Sequence, residues 1–390
     1  MKIKELAEQY NDYIVGQRRA FHRSPELSLQ ETHTTEKIVA ELTAMGLEVQ
    51  TWANAAGCMG ILTGARPGKT VLLRADIDAL PVLEKTGLPF ASEIDGKMHA
   101  CGHDCHIAIQ LGAAKILSSM REELAGTVRF FFQTGEEVAQ GAKLGVENGV
   151  MDGVDACLGM HIWGQVDAPR FNIEAGPRMA SCDSFTVTVR GTSAHGSAPQ
   201  FGRDAIVAAS AVIMNLQQLV SRVNSPLNPL VLSIGTMNGG QRFNIIADKV
   251  EMGGTVRTFD RDFRMEMEGR IREICELTAK AYGCTAELSY QYLTGPVIND
   301  STELVALAQK AAVSLYGEDA LVGLEKMTGS EDFAFLMEKA PAIYGFLGAR
   351  SEKVAGSGLP NHHECFTVDE ESLGRGAAIA AQFAADFLAK

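Results

Sequence analysis

The chain has 390 residues, with 48 acidic against 35 basic side chains and a net charge of −13. That balance excludes the Lys and Arg clusters nucleic acid demands, and no basic run is present. The length exceeds what one hydrophobic core organises and predicts two domains. The N-terminus, MKIKELAEQY, has no apolar signal core, and no stretch approaches the roughly 20 apolar residues of a membrane span. Eight scattered cysteines read as thiols of a reducing cytoplasm rather than a disulfide scaffold.

Ile3, Leu6, Tyr10 and Ile14 recur at helical spacing and predict one amphipathic helix over 2–21, stopped near Ser24-Pro25. A second helix is expected over 34–45, capped by Gly46. LEVQTW, MGILT and TVLLRAD read as strands, and HIAIQLGAAKILSSM (106–120) as a helix. TVRFFFQT (127–134) and VDACLGMH (154–161) are nearly continuous apolar runs, the pattern of strands buried on both faces. From about 183 the pattern changes. DSFTVTVRG alternates like a half-exposed strand, followed by a helix near 203–221, strands near 229–236 and 249–258, a charged helix over 260–281 and the strand TAELSYQY. That order is the one of a ferredoxin-like layer. After Gly295-Pro296 the α/β character returns, and a last helix over 369–388 opens on Thr367 and Glu370, spaced as a capping box. The expected fold class is α/β: a helix-covered, mostly parallel sheet built from 1–180 and 291–390, interrupted by an inserted α+β domain over 181–290.

Among the motifs, GARPGKT (64–70) imitates a phosphate loop, but it is one residue short and runs into a strand where a helix must begin. No G-x-S-x-G elbow is present. HACGHDCH (99–106) lacks the second ligand pair of a zinc finger, and three residues separate Cys101 from Cys105, so it is no C-x-x-C redox site. It remains either a His/Cys-rich turn before a helix or a turn that projects Cys101 and His103 toward a metal. Glu136 and Glu137, in QTGEEVAQGA, follow an apolar strand. They are either a solvated pair or the ligand and general base of a hydrolytic metal site. His161 in GMHIW is a core histidine or a ligand, and His362 and His363 sit in LPNHHECF, a Gly/Pro-flanked loop. In RADIDALP (74–81) a strand runs into Asp76 and Asp78. Asp78, Glu136 and His161 all fall at predicted carboxyl ends of strands, where open α/β sheets bind ligands.

Taken in order, RADIDALP, HACGHDCHIA, TGEE, MHIW, GTSAHGSAP, GTVRTF, SEDFAF and HHECF resemble the M20 metallopeptidase clan, specifically its amidohydrolase branch of hippurate hydrolases, N-acyl-amino-acid and N-acetyl-diaminopimelate deacetylases and auxin-conjugate hydrolases. The match runs from FHRSPELS (21–28) to HHECFTVDE (362–370). The resemblance implies two divalent ions per subunit, manganese, zinc, cobalt or nickel, held by Cys101, His103, Glu137, His161 and His362. It implies Glu136 as general base and Asp78 as a residue that orients a ligand, with Asp76 not a ligand. The inserted domain is implied to mediate homodimerisation and to act as a lid. His195 is implied to polarise the scissile carbonyl of the partner copy's substrate, Asn244 and Arg257 to bind its carboxylate, and Glu331 to line the site. The last motif departs from the branch, with Glu364 where H-x-P-x-F has proline, and counting back from Phe366 selects His362 over His363. The implied reaction is metal-dependent hydrolysis of an N-acyl amino acid or small conjugate. The rivals are a dipeptidase or aminopeptidase of the same clan and a non-catalytic metal binder.

Overall fold

A computed structural model describes residues 2–390. In chain order the strands are β1 (Glu48–Trp52), β2 (Ala55–Thr63), β3 (Arg66–Asp76), β4 (Ala125–Gln133), β5 (Ala156–Asp167), β6 (Phe171–Asn172), β7 (Gly176–Met179), β8 (Cys182–Arg190), β9 (Leu230–Gly239), β10 (Lys249–Thr258), β11 (Thr285–Thr294), β12 (Val297–Asn299) and β13 (Ala342–Arg350). The helices are α1 (Lys2–Gln9), α2 (Asn11–His22), α3 (Thr32–Ala44), α4 (His103–Ser118), α5 (Gly141–Glu147), α6 (Ala205–Gln218), α7 (Arg261–Ala281), α8 (Thr302–Tyr316), α9 (Ala334–Met337) and α10 (Glu371–Leu388). The chain divides into two compact units. One holds the chain through Arg178 with Ile298–Glu325 and Asp332–Lys390, the other Met179–Val297 with Lys326–Glu331.

The first unit is built on a seven-stranded sheet in the order β1-β2-β4-β3-β5-β13-β6. β4, β3, β5 and β13 run parallel, and β1, β2 and β6 add antiparallel edges. The parallel strands are the apolar runs of the sequence. Phe130–Gln133 and Ala156–His161 are buried on both faces, as helix-covered parallel strands must be. α4 packs on β3, β4 and β5 and is itself flanked by α2 and α10, so its residues from His103 to Ala114 are all buried. Gly112 makes that packing possible: a Cβ there would lie 2.8 Å from the Ile14 side chain of α2.

Two local expectations are corrected. The helix over 2–21 is two helices, because the chain breaks at Tyr10, whose hydroxyl lies 2.9 Å from Ser119 Oγ at the end of α4. The capping box is not formed. Glu370 is taken by Arg18 at 3.0 Å and by Arg19, and Asp369 accepts the Glu371 N–H at 3.0 Å instead.

The second unit is a four-stranded antiparallel sheet in the order β11-β8-β10-β9, with α6 and α7 filling the β-α-β-β-α-β pattern. Phe185, Val187, Val189, Val250, Met252 and Val256 face Ala208, Val212, Met267 and Ile271 of the helices. The alternate positions Thr186, Arg190, Glu251 and Glu287 are exposed, which explains the period-two signal. The unit is wider than 181–290. β11 runs to Thr294, and Lys326–Glu331 belongs with it because Ala180 N–H bonds to Met327 O and Gly329 O at 3.1 and 2.9 Å. A second correction concerns apolar length. The helical run Ala205–Val223, 19 residues with a mean hydropathy of 1.3, is long and apolar enough to cross a membrane by length and composition. Its Ala208, Val212 and Leu216 pack in the core of this layer.

Candidate metal centre

The carboxyl ends of β3 and β4, the middle of β5 and the start of α4 converge on one cluster; β5 runs on to Asp167, so His161 lies within the strand and not at its end as expected. The turn 99–103 enters α4 through Gly102 at φ +90°, where a Cβ would lie 2.4 Å from Ile162 Cγ2. Only glycine fits, and it sets Cys101 and His103 on either side of the turn. Gly102→Ala is expected to strain this turn by about 1–3 kcal/mol and to lower both the unfolding temperature and the divalent metal bound per chain. Wild-type values in the purified variant would show that the turn accommodates a side chain.

His103 Nδ1 donates to the Asp78 carbonyl at 2.9 Å and lies 3.2 Å from Asp78 Oδ1. Asp78 Oδ2 accepts Ser28 Oγ–H at 2.6 Å and the Glu137 N–H at 3.0 Å. One carboxylate therefore sets the tautomer of His103 and the position of Glu137. Burial opposes ionisation of Asp78, but its bond to His103 holds its pKa below the ordinary value. His161 Nδ1 donates to the Ile162 carbonyl at 2.6 Å, which leaves Nε2 3.4 Å from Cys101 Sγ. Burial drives the His161 pKa well down, toward the neutral imidazole a metal takes. Burial and the Glu137 carboxylate push the Cys101 thiol well up, so a cation's charge is what makes it a thiolate.

His362, from the loop after β13, brings Nε2 to 3.3 Å from Glu137 Oε1. His363 is spent on its own loop, its Nδ1 accepting the Cys365 N–H at 3.0 Å. Glu364 is turned to Lys85, with its carboxylate 3.0 Å from Lys85 Nζ. The donor atoms fall into overlapping triads, each within 4.8 Å: Cys101, His103 and His161; Cys101, Glu137 and His362; His103, Glu136 and Glu137. His103 Nε2 and Glu137 Oε1 are buried with no hydrogen-bond partner. Buried donors and acceptors are seldom left unpaired, and the mixture of imidazole, thiolate and carboxylate suits first-row divalent metals. The residues fit such ions.

A further triad, Asp76, His103 and His106, lies beside them. His106 is no ligand, because its Nε2 accepts the Ile162 N–H at 2.8 Å and its Nδ1 donates to Asp76. It lies inside α4 rather than opening it, since the helix begins at His103. Asp76 also takes Arg74 at 2.8 Å, and Arg74 bridges to Asp332 at 2.9 Å. Burial alone would raise Asp76, but Arg74, His103 and His106 hold its carboxyl well below the usual range. Asp332 in turn accepts Gln133 Nε2 and the Ala142 N–H, fixing both ends of the loop that carries Glu136 and Glu137. Sequence reasoning missed this frame. Its signal was there, an Arg within the apolar run VLLRA of β3 and a Gln directly after the apolar run FFF of β4.

The remaining candidates lie in the second unit. His195 is exposed. Its Nδ1 accepts the Ser197 N–H at 3.1 Å and lies 2.8 Å from Ser197 Oγ, so in the neutral ring Nε2 carries the proton and donates. His195 pairs across a β-bridge with Ile245, and the Asn244 carbonyl accepts the Gly196 N–H at 2.8 Å. The structure thus joins the loops of His195 and Asn244. Arg257 lies 3.3 Å from Thr328 O and 3.5 Å from Ser330 Oγ, on the segment that ends at the buried Glu331.

Residues 72–386 match the model of peptidase family M20/M25/M40. An N-acetylcysteine deacetylase of Bacillus subtilis is 39% identical over 97% of this chain and 96% of its own. Thermostable carboxypeptidase 1 of Saccharolobus solfataricus is 37% identical over 99% and 98%. Among solved structures, the YXEP protein of Bacillus subtilis, described as a dinuclear metal binding peptidase from the M20 family, superposes with a TM-score of 0.86 at 36% identity, covering 98% of this chain and 99% of that one. The chain belongs to peptidase family M20/M25/M40, whose members are hydrolases of amide bonds.

Proposed function

We propose that this protein hydrolyses the amide of N-acyl amino acids, releasing a carboxylic acid and a free amino acid. The observation that carries the reading is the set of overlapping donor triads, one of which includes Glu136, with two buried donor atoms that have no hydrogen-bond partner. Cys101, His103, Glu137, His161 and His362 would hold two divalent ions, with manganese, zinc, cobalt and nickel all compatible with this set. Bound there, such ions polarise the carbonyl and lower the pKa of water. Glu136 takes the proton of the attacking water and passes it to the departing amine nitrogen. Asp78 keeps His103 in the tautomer that offers Nε2. His195 is assigned to donate Nε2–H to the oxygen on which charge develops in the other copy, Arg257 and Asn244 to receive the substrate carboxylate, and Glu331 to line the site.

An N-acetylcysteine deacetylase and a carboxypeptidase both cut an amide whose leaving amino acid keeps its carboxylate free, which supports this substrate class. The carboxypeptidase relative keeps small peptides as the second reading. The domain over 181–290 is read as the dimerisation and lid domain of a homodimer, in which His195 serves the other copy. Eight unpaired cysteines suit the cytoplasm.

The test is amine release from N-acetyl, N-benzoyl and longer-chain N-acyl amino acids, with dipeptides alongside. Chelator-stripped protein is expected to be inactive on all, and manganese or zinc to restore hydrolysis of the acyl series. Restored hydrolysis confined to dipeptides would select the second reading. Metal uptake with no hydrolysis of either series would overturn both.

A further inference from the structure

Asn361 stands beside the candidate ligand His362 and makes contacts unlike those of an ordinary loop residue. Its Nδ2 donates to the carbonyl of Cys101 at 2.9 Å and to the carbonyl of Ile162 at 3.2 Å. Its Oδ1 accepts the Gly164 N–H at 3.3 Å. One side chain thus reaches the backbone of the ligand turn 260 positions earlier and of the β5 segment just past His161. The amide orientation follows from the partners, because the reverse would set an oxygen against two carbonyls. The neighbouring backbone needs such support. His362 sits at φ +73°, a conformation non-glycine residues adopt only when their surroundings impose it, and its N–H is tied to Ala100 O at 2.8 Å.

We propose that Asn361 is a positioning residue that clamps together the three segments bearing Cys101, His161 and His362, and so sets the affinity and geometry of the metal centre. The inference rests on the reading of those three side chains as ligands. Asn361 touches no ligand atom. It acts through the backbone of each ligand-bearing segment, the kind of outer support whose loss typically weakens metal binding by about 10–100-fold. A carboxylate in its place keeps the shape and the acceptor for Gly164 but replaces both donors with charge facing two carbonyl oxygens.

The test is cobalt titration of chelator-stripped protein, read by equilibrium dialysis and by the thiolate-to-cobalt absorption band that reports on Cys101. Wild type is expected to bind two ions. Asn361→Ala and the isosteric Asn361→Asp are expected to bind at least one ion about 10-fold more weakly and to show an altered thiolate band. His363→Ala, a change in the same loop, should stay within about twofold of wild type. Circular dichroism of the metal-free proteins shows whether each variant is folded, and if Asn361→Ala is not, Asn361→Asp carries the test. Wild-type affinity and band in a folded Asn361→Asp or Asn361→Ala overturn the clamp alone. Failure of the wild-type protein to bind cobalt overturns the metal-centre reading and the clamp with it.

Discussion

Replacing Glu136 with alanine is expected to lower kcat at least about 100-fold while the chain still takes up two divalent ions. Neighbouring carboxylates cannot be told apart by type, but their surroundings differ. Glu137 has its backbone N–H pinned by Asp78 and a buried Oε1 that has no hydrogen-bond partner and lies 3.3 Å from His362 Nε2 and 3.9 Å from His103 Nε2. Those contacts suit the ligand role proposed for it. Glu136 falls in one triad with His103 and Glu137 and in none with Cys101, His161 or His362, and the proposed reading gives it the proton rather than an ion. The variant should therefore lose kcat and kcat/KM together, the sign of an interaction made in the transition state. Metal content measured alongside kcat checks the division of labour. If Glu136→Ala loses an ion and Glu137→Ala keeps both, the two roles are reversed.

Arg74→Met is expected to destabilise the protein by about 3–5 kcal/mol, the cost of leaving buried charge without its partner. Arg74, Asp76 and Asp332 are buried, and the one guanidinium faces both carboxylates. Methionine fills much of the volume and offers no charge, so Asp76 keeps His106 and Asp332 keeps Gln133 and the Ala142 N–H, but both lose the cation that balances them. The urea midpoint of the metal-free variant measures the loss. The exposed pair Arg350–Asp167 supplies the contrast, since removing such a pair changes stability by less than about 1 kcal/mol. Adding Asp332→Asn to Arg74→Met should recover part of the loss, because it removes one of the stranded charges. A midpoint unchanged in Arg74→Met would mean that the frame behind the Glu136 loop is not held by these charges.

What could be read from the residues depended on periodicity and position. Apolar runs marked the buried parallel strands, and the carboxyl ends of β3 and β4 marked where the cluster forms, while His161 joins it from the middle of β5. Alternation in DSFTVTVRG marked a sheet with one face exposed. The resemblance to the family's H-x-P-x-F motif pointed to His362, and the structure turns that histidine to Glu137 while His363 closes its own loop. The failures were all tertiary. Nothing local shows that Glu370 will be captured by two arginines of α2, or that His106 will be spent on Asp76 and Ile162. Nor does local pattern show that Asn361 will bond a backbone 260 positions away. Side-chain contacts to distant main chain leave no period in the sequence, so this class of residue is invisible until the fold is known.

The place of β13 in the sheet bears on how the protein is made. It is the last strand in the chain, yet it lies inside the sheet, between β5 and β6. A ribosome releases the chain from its N-terminus, so β5 and β6 emerge with the slot between them open for the time needed to synthesise some 170 further residues, from Asn172 to Ala342. The uninterrupted run Met179–Val297 of the second unit emerges within that interval and can begin to fold. The first unit must wait with unpaired strand edges, a natural client for a chaperone and the point at which slow translation would expose the chain to aggregation.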